Sequence, residues 1–266
     1  MYQSANGIKT FFNPALALMI IFFISLPSTV QSQGQDSVIT PTIRQELWPE
    51  IDAYYRFNDK FRLFGSYSAT KLKTSSYTDG GLSINLDYFA LPVWRKSKPR
   101  ADSTRGSLLW LRGGFAYSHS PKDVENTFTD YTIVTEVSAR FYLPWEILLT
   151  QRNRFDWRWR NGDFKPRYRA KLNVEKAFKT DYLHFTVYTY GEFFVNINSE
   201  NPDIFRWALG WEVRASKHLS FETYFVHQFE GSFNSLSVNA VGLAAKIYFH
   251  KGDHLFGKKK TEKSNN

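Results

Sequence analysis

The sequence predicts an all-β chain closed into an antiparallel up-and-down transmembrane β-barrel of about twelve strands, with ten as the smaller alternative. Three observations carry this. Between residues 43 and 250 apolar and polar residues alternate with a period of two, and no stretch carries the 3.6-residue period of a helix. Turn-forming residues interrupt the alternation at Asn58-Asp59-Lys60, Leu143-Pro144-Trp145, Asn161-Gly162, Lys179-Thr180-Asp181 and Ser216-Lys217-His218. Longer polar links near 73–79, 119–127, 198–203 and 231–235 alternate with these tight ones, as in a meander with short turns at one rim and long loops at the other.

In chain order, the first element is a secretory leader. Residues 1–10 carry one Lys and no acid, and FFNPALALMIIFFISLP (11–27) is an apolar core of signal-peptide length. Val30-Gln31-Ser32 then supplies a cleavage site, with the cut expected after Ser32. Residues 33–42 form an N-terminal segment. No later run reaches eighteen apolar residues, so the expected mature chain has no transmembrane helix. The absence of cysteine excludes disulfides, thiolate metal sites and a lipid anchor on Cys.

Eleven strands are expected, at 43–57, 61–72, 80–94, 106–118, 128–142, 146–160, 163–177, 182–197, 204–216, 219–230 and 236–250. An odd number conflicts with the even count usual in bacterial barrels, so either a short twelfth strand lies near 36–42 or one of the eleven is not a strand, leaving ten. The link RKSKPRADSTRG (95–106) is long where a tight turn is expected. VGLAAKIYF (241–249) has the form of a closing barrel strand that assembly machinery could recognise, and the polar tail 251–266 reads as disordered.

Alternation alone does not separate a soluble barrel from its inverse in lipid. The strands are longer than the five or six residues usual in soluble proteins, and the leader provides a route out of the cell. Trp48, Trp94, Trp145, Trp159 and Phe164 near strand ends resemble interfacial girdles. RNRFDWRWRNGDFKPRYRAKL (152–172) decides which face is wet. A two-residue turn at Asn161-Gly162 sets Arg160 opposite Asp163, Arg158 opposite Lys165, Asp156 opposite Arg167, Arg154 opposite Arg169 and Arg152 opposite Lys171. One such charge facing lipid costs ~2–4 kcal/mol, so the basic side chains point into the lumen.

Like charges directly opposite one another destabilise a sheet, so acids are expected among them. A three-residue loop at 143–145 sets Glu136 beside Arg152, and a four-residue turn at 178–181 sets Glu192 beside Arg167. Gln151 and Asn153 fall on the outward face, where polar residues fit poorly.

Leu47-Trp48-Pro49-Glu50, Arg154-Phe155-Asp156-Trp157-Arg158 and Tyr168-Arg169 resemble a bacterial family catalogued as domain of unknown function 2490. The resemblance spans roughly 43–250 and implies an outer-membrane β-barrel. It carries no catalytic or binding residue with it.

The excess of 34 Lys and Arg over 25 Asp and Glu is spread along alternating strands, which argues against nucleic-acid binding. Six scattered histidines give no metal-ligand spacing, and no cofactor is implied. The expected partners are outer-membrane lipids and the barrel-assembly machinery of a Gram-negative cell. The candidate site is a charged lumen wall of Arg152, Arg154, Arg158, Arg167, Arg169, Lys171, Glu136, Asp156 and Glu192, either bracing the barrel or lining a path for small, anionic solutes.

Two competing readings remain at this level. A lipid hydrolase would use His227 with Ser232, Asn234 and Ser235, or the Ser118-His119-Ser120 stretch. A soluble periplasmic β-barrel would turn the same alternation inside out. Acids drawn from Glu50, Asp52, Glu136, Glu192, Glu212 and Glu222 could form a glycosidase pair, but among so many arginines ion-pair ladders are the expected use.

Overall fold

The computed structural model describes residues 42–72, 77–92, 107–121, 127–179, 184–197, 203–231 and 236–251. The leader at 1–32, residues 33–41, the link at 95–106, Trp94, Ser232, Asn234, Ser235 and the tail from 252 lie outside the described residues.

The strands are β1 (Thr42–Arg56), β2 (Phe61–Leu72), β3 (Tyr77–Pro92), β4 (Ser107–His119), β5 (Thr129–Tyr142), β6 (Ile147–Arg160), β7 (Asp163–Phe164), β8 (Arg167–Lys179), β9 (His184–Asn196), β10 (Ile204–Arg214), β11 (Leu219–Glu230) and β12 (Leu236–His250). One 3₁₀ turn, Pro144–Glu146, joins β5 to β6. Each long strand pairs with the next long strand in sequence, β7 and β8 both pairing with β6, and β5–β6 and β1–β12 contacts complete a ring. Counting β7, there are twelve strands, as expected. β7 is the outer end of the β8 arm, cut off at Lys165-Pro166, because Pro166 has no N–H to donate to the ladder.

Eleven long strands therefore form the wall. In an up-and-down meander, the eleventh runs in the direction of the first, so closure requires one parallel pair. β1 and β12 supply it over fifteen partner pairs, from Thr42 with Leu236 to Arg56 with His250. All other pairs are antiparallel.

The stagger follows from the partners. From Asp52 the ladder runs through Ser66, Ser83, Ala116 and Thr132 to Arg158 on β6. In the other direction it runs through Lys246, Ser220, Arg214 and His184 to Lys179, beyond the Lys176 that faces Ile147. The two ends meet about 14 residues apart on β6, which for this strand number implies a tilt of roughly 40° and a diameter of roughly 22 Å.

The faces are inverted relative to a water-soluble core. Ile84, Leu209 and Trp211 are 55%, 49% and 50% exposed on the outer circumference, whereas Asp87 and Asp156 are 0% and Glu192 is 1% exposed inside. A small apolar cluster of Ala208, Val226, Val238 and Ala240 also lies inside, against Trp48, Tyr190 and Tyr224. Gly210 and Gly242 leave room there for the rings of Tyr188 and Tyr224.

The expected girdle is corrected at Trp48. Its parity on β1 is that of Glu46 and Glu50, so it turns inward, where Nε1 donates to Glu46 Oε2 at 2.7 Å and Arg206 stacks on its ring. Trp145, Trp159 and Phe164 do lie outward at strand ends.

Candidate functional site

The basic wall is built by one hairpin. Asn161 and Gly162 take φ of 52° and 91°, left-handed values that a two-residue turn requires and that glycine adopts without a Cβ clash. Asn161 is also tied to β5: its N–H donates to Thr129 O, and its Oδ1 accepts from Thr129 N, each at 2.8 Å. The hairpin keeps the register read from the sequence. Arg160 faces Asp163, Asp156 faces Arg167, Arg154 faces Arg169 and Arg152 faces Lys171. Across the Pro166 break, Lys165 N still donates to Arg158 O at 2.7 Å.

Acids sit among these cations. Asp156 accepts from Arg154 Nε at 2.5 Å and from Arg167 Nη2 at 2.9 Å, with Arg169 Nη1 at 3.8 Å. Glu192 Oε1 accepts from Arg152 Nη2 at 2.5 Å and Arg169 Nη2 at 2.8 Å. Asp130 holds Arg160 at 2.9 Å and lies 3.7 Å from Arg158. Phe194 is 3% exposed, and Arg167, Arg169 and Arg206 lie over its ring. Among the described residues Lys171 makes no ion pair within 4.0 Å; its Nζ stands 3.3 Å from the Tyr190 ring centroid.

Two expected registers are corrected. Glu136 faces Arg154 rather than Arg152, because Leu143 N bonds to Ile147 O and the three-residue link is Pro144–Glu146, one position later than expected, which moves the register by two. Trp145 and Glu146 take φ of 61° and 59° in that loop. Arg152 Nε is still 3.9 Å from Glu136 Oε2. Glu192 faces Lys171 rather than Arg167, because Lys179 pairs with His184 and moves the β8–β9 link along the chain. Both shifts are even numbers of residues, so every side chain keeps its face.

The outward polar residues have a local solution for Asn153, whose Oδ1 accepts from the Tyr168 hydroxyl at 2.6 Å.

The sequence reading did not single out a second cluster, on β2 to β4. Arg62 donates to Asp87 Oδ2 through Nε and Nη2 at 2.9 and 2.7 Å, and Arg112 Nε donates to Oδ1 at 2.6 Å. Inward parity places all three, but only the register brings them together. Across the ring, Lys246 Nζ bridges Glu212 and Glu222, 2.9 Å from each. Arg62, Arg112, Lys246, Glu212, Glu222 and the nine predicted wall residues line one lumen cavity of about 800 Å³, with Asp87 buried behind its two arginines.

Residues 45–239 match the family described as protein of unknown function (DUF2490). The chain belongs to that family. No curated protein matches it. The DUF2490 match takes in the basic hairpin, its acids and the Arg62–Asp87–Arg112 cluster, and ends within β12 before Lys246.

The hydrolase candidates fare unevenly. His227 lies outward with Nδ1 2.5 Å from Asn239 Oδ1, between the rings of Trp207 and Phe229. Ser120 Oγ accepts from Phe128 N at 2.6 Å, and His119 stacks on Tyr117. Among the described residues no group of three or more His, Cys, Asp or Glu could hold a metal ion. Glu212 and Glu222, held to one lysine, are ion-pair partners rather than a free carboxylate pair.

Proposed function

We propose that this DUF2490 barrel sits in the outer membrane of a Gram-negative cell, non-enzymatic, as a narrow passage for small charged solutes. The observation that carries the placement is the inversion of faces. A continuous belt of exposed Ile, Leu, Phe and Trp far exceeds the patches a monomeric soluble protein exposes, and hydrocarbon is the medium that rewards it. This favours the membrane over the soluble periplasmic reading. The passage is supported by the polar cavity of about 800 Å³ inside a ring wider than the eight-stranded barrels that side chains just fill.

Fractionation tests the placement: the protein should stay with the outer membrane until detergent is added, and release by osmotic shock alone would refute it. Planar bilayers test the passage. Conductance is expected with a modest preference for anions, since cations outnumber carboxylates along β6 and β8. A closed protein would leave the ion-pair lattice as a brace for the envelope.

The His227–Asn239 pair supports a second reading, a lipid-modifying hydrolase, because a histidine oriented by an amide is half of a nucleophile-activating set. Phospholipid turnover by the purified barrel, lost in His227→Ala and Ser232→Ala, would establish it.

A further inference from the structure

The lumen is not uniformly basic; its charge is divided across the diameter. In an eleven-membered ring, β6 and β8 lie five strands from β1, one on each side, and so stand opposite it. With a stagger of about 14 residues, the level of Asp52 and Glu50 on β1 corresponds to Arg152 and Arg154 on β6 and to Lys171 on β8. Both sets line the same cavity.

Each pole holds a charged group that, among the described residues, has no ion-pair partner within 4.0 Å. Glu50 accepts from Ser66 Oγ at 2.9 Å and Asp52 from the Tyr54 hydroxyl at 3.0 Å, both neutral donors. Among the described residues neither acid has a cation within 4.0 Å, because the adjacent Lys246 is engaged by Glu212 and Glu222. Asp52 is 5% exposed, and its Oδ1 has no hydrogen-bond partner although the side chain lines the cavity. Opposite, Lys171 rests on Tyr190 and faces Glu192, which Arg152 and Arg169 already engage, and Arg154 shares Asp156 with Arg167 and Arg169.

We infer that the lumen binds an extended zwitterion, of the class of a short peptide, with its ammonium group at Glu50 and Asp52 and its carboxylate at Lys171 and Arg154. A diameter of roughly 22 Å, less the length of the side chains, leaves roughly 10 Å between the poles. A chain of two or three residues at about 3.3–3.6 Å each spans that distance. A simple anion would meet the acidic pole and a simple cation the basic one, so only a solute bearing both charges gains at both ends.

The inference deepens the proposed passage but is tested without it, by equilibrium binding to the detergent-solubilised barrel. Triglycine is compared with N-acetyltriglycine, which lacks the ammonium group, and with triglycinamide, which lacks the carboxylate. Triglycine should bind at least ten-fold more tightly than either blocked form. The double variant Glu50→Gln, Asp52→Asn should erase the advantage over N-acetyltriglycine alone, and Lys171→Met should reduce the advantage over triglycinamide alone. Equal binding of the three peptides to the wild-type protein, or no binding of triglycine, would overturn the inference. Absence of conductance would instead overturn the passage.

Discussion

At the scale of the residue, Asp156 shows how this lumen is held together. It is fully buried, and three arginines from two strands converge on its two oxygens. Removing one partner from a buried ionic cluster leaves the others uncompensated, which is worse than never having had the cluster. Asp156→Asn should therefore destabilise the folded barrel by about 3 kcal/mol in urea titrations of protein refolded in micelles. Lys165→Ala, at an exposed turn pair with Asp163 3.6 Å away, should change stability by less than ~0.5 kcal/mol. A result with the order reversed would show that the lumen is solvated well enough to neutralise its own arginines.

The sequence exposed much of this level. The alternation of Arg154, Asp156 and Arg158 with Phe155, Trp157 and Trp159 set their faces, and Asn161-Gly162 set their partners. What it could not show is which acid serves which arginine across a link of unknown length. Glu136 and Glu192 each landed on the correct face but opposite a different partner, Arg154 and Lys171, although Glu136 still lies 3.9 Å from the expected Arg152. Trp48 misled for another reason: aromatic residues at strand ends suit an interface, but its parity with Glu46 and Glu50 outranks that habit.

At the scale of the element, the ladder joins these clusters into a stripe. Arg62 faces Asp87, Asp87 faces Arg112, Arg112 faces Glu136 and Glu136 faces Arg154, so charge alternates over five strands. Opposite charges paired across strands stabilise a sheet, and here the pairing also favours the register, since a slip of two residues would set Arg62 and Arg112 opposite Asn85 or Phe89 instead of Asp87. The hairpin anchors one end of this stripe. Gly162→Ala must adopt a φ near 91°, and should cost about 1 kcal/mol and slow refolding in micelles, as followed by the heat-dependent shift in gel mobility. Gly210→Val acts differently: its Cβ would lie 2.6 Å from both the Tyr188 ring and Tyr224 Cβ, so the inward tyrosines must move and the loss should be larger. Equal effects would mean that the tyrosine rings are free to swing into the lumen.

At the scale of the whole molecule, odd closure has a consequence that an even barrel lacks. Because β1 and β12 run in parallel, Arg44 lies at the rim where β12 begins, while Lys251 lies beside Arg56 at the other rim, its N–H on Arg56 O at 3.0 Å. Eleven strands were legible in the period-two pattern, and the rule that bacterial barrels are even added a further strand near 36–42, a stretch that lies almost wholly outside the described residues. Sequence patterning does not encode the direction in which the last strand meets the first; only the closed register does. The absence of cysteine makes the topology measurable by single substitutions. In intact cells an impermeant maleimide should label Arg44→Cys together with Gly231→Cys, or else Lys251→Cys together with Asp59→Cys, and the other pair only after the outer membrane is opened. An even barrel brings both chain ends to one side, so labelling of Arg44→Cys and Lys251→Cys under the same condition would refute the parallel seam. The seam also borders the acidic pole, since Glu50 and Asp52 stand on β1 and Lys246 on β12. A different closure would therefore remove the geometry from which the zwitterion site is drawn.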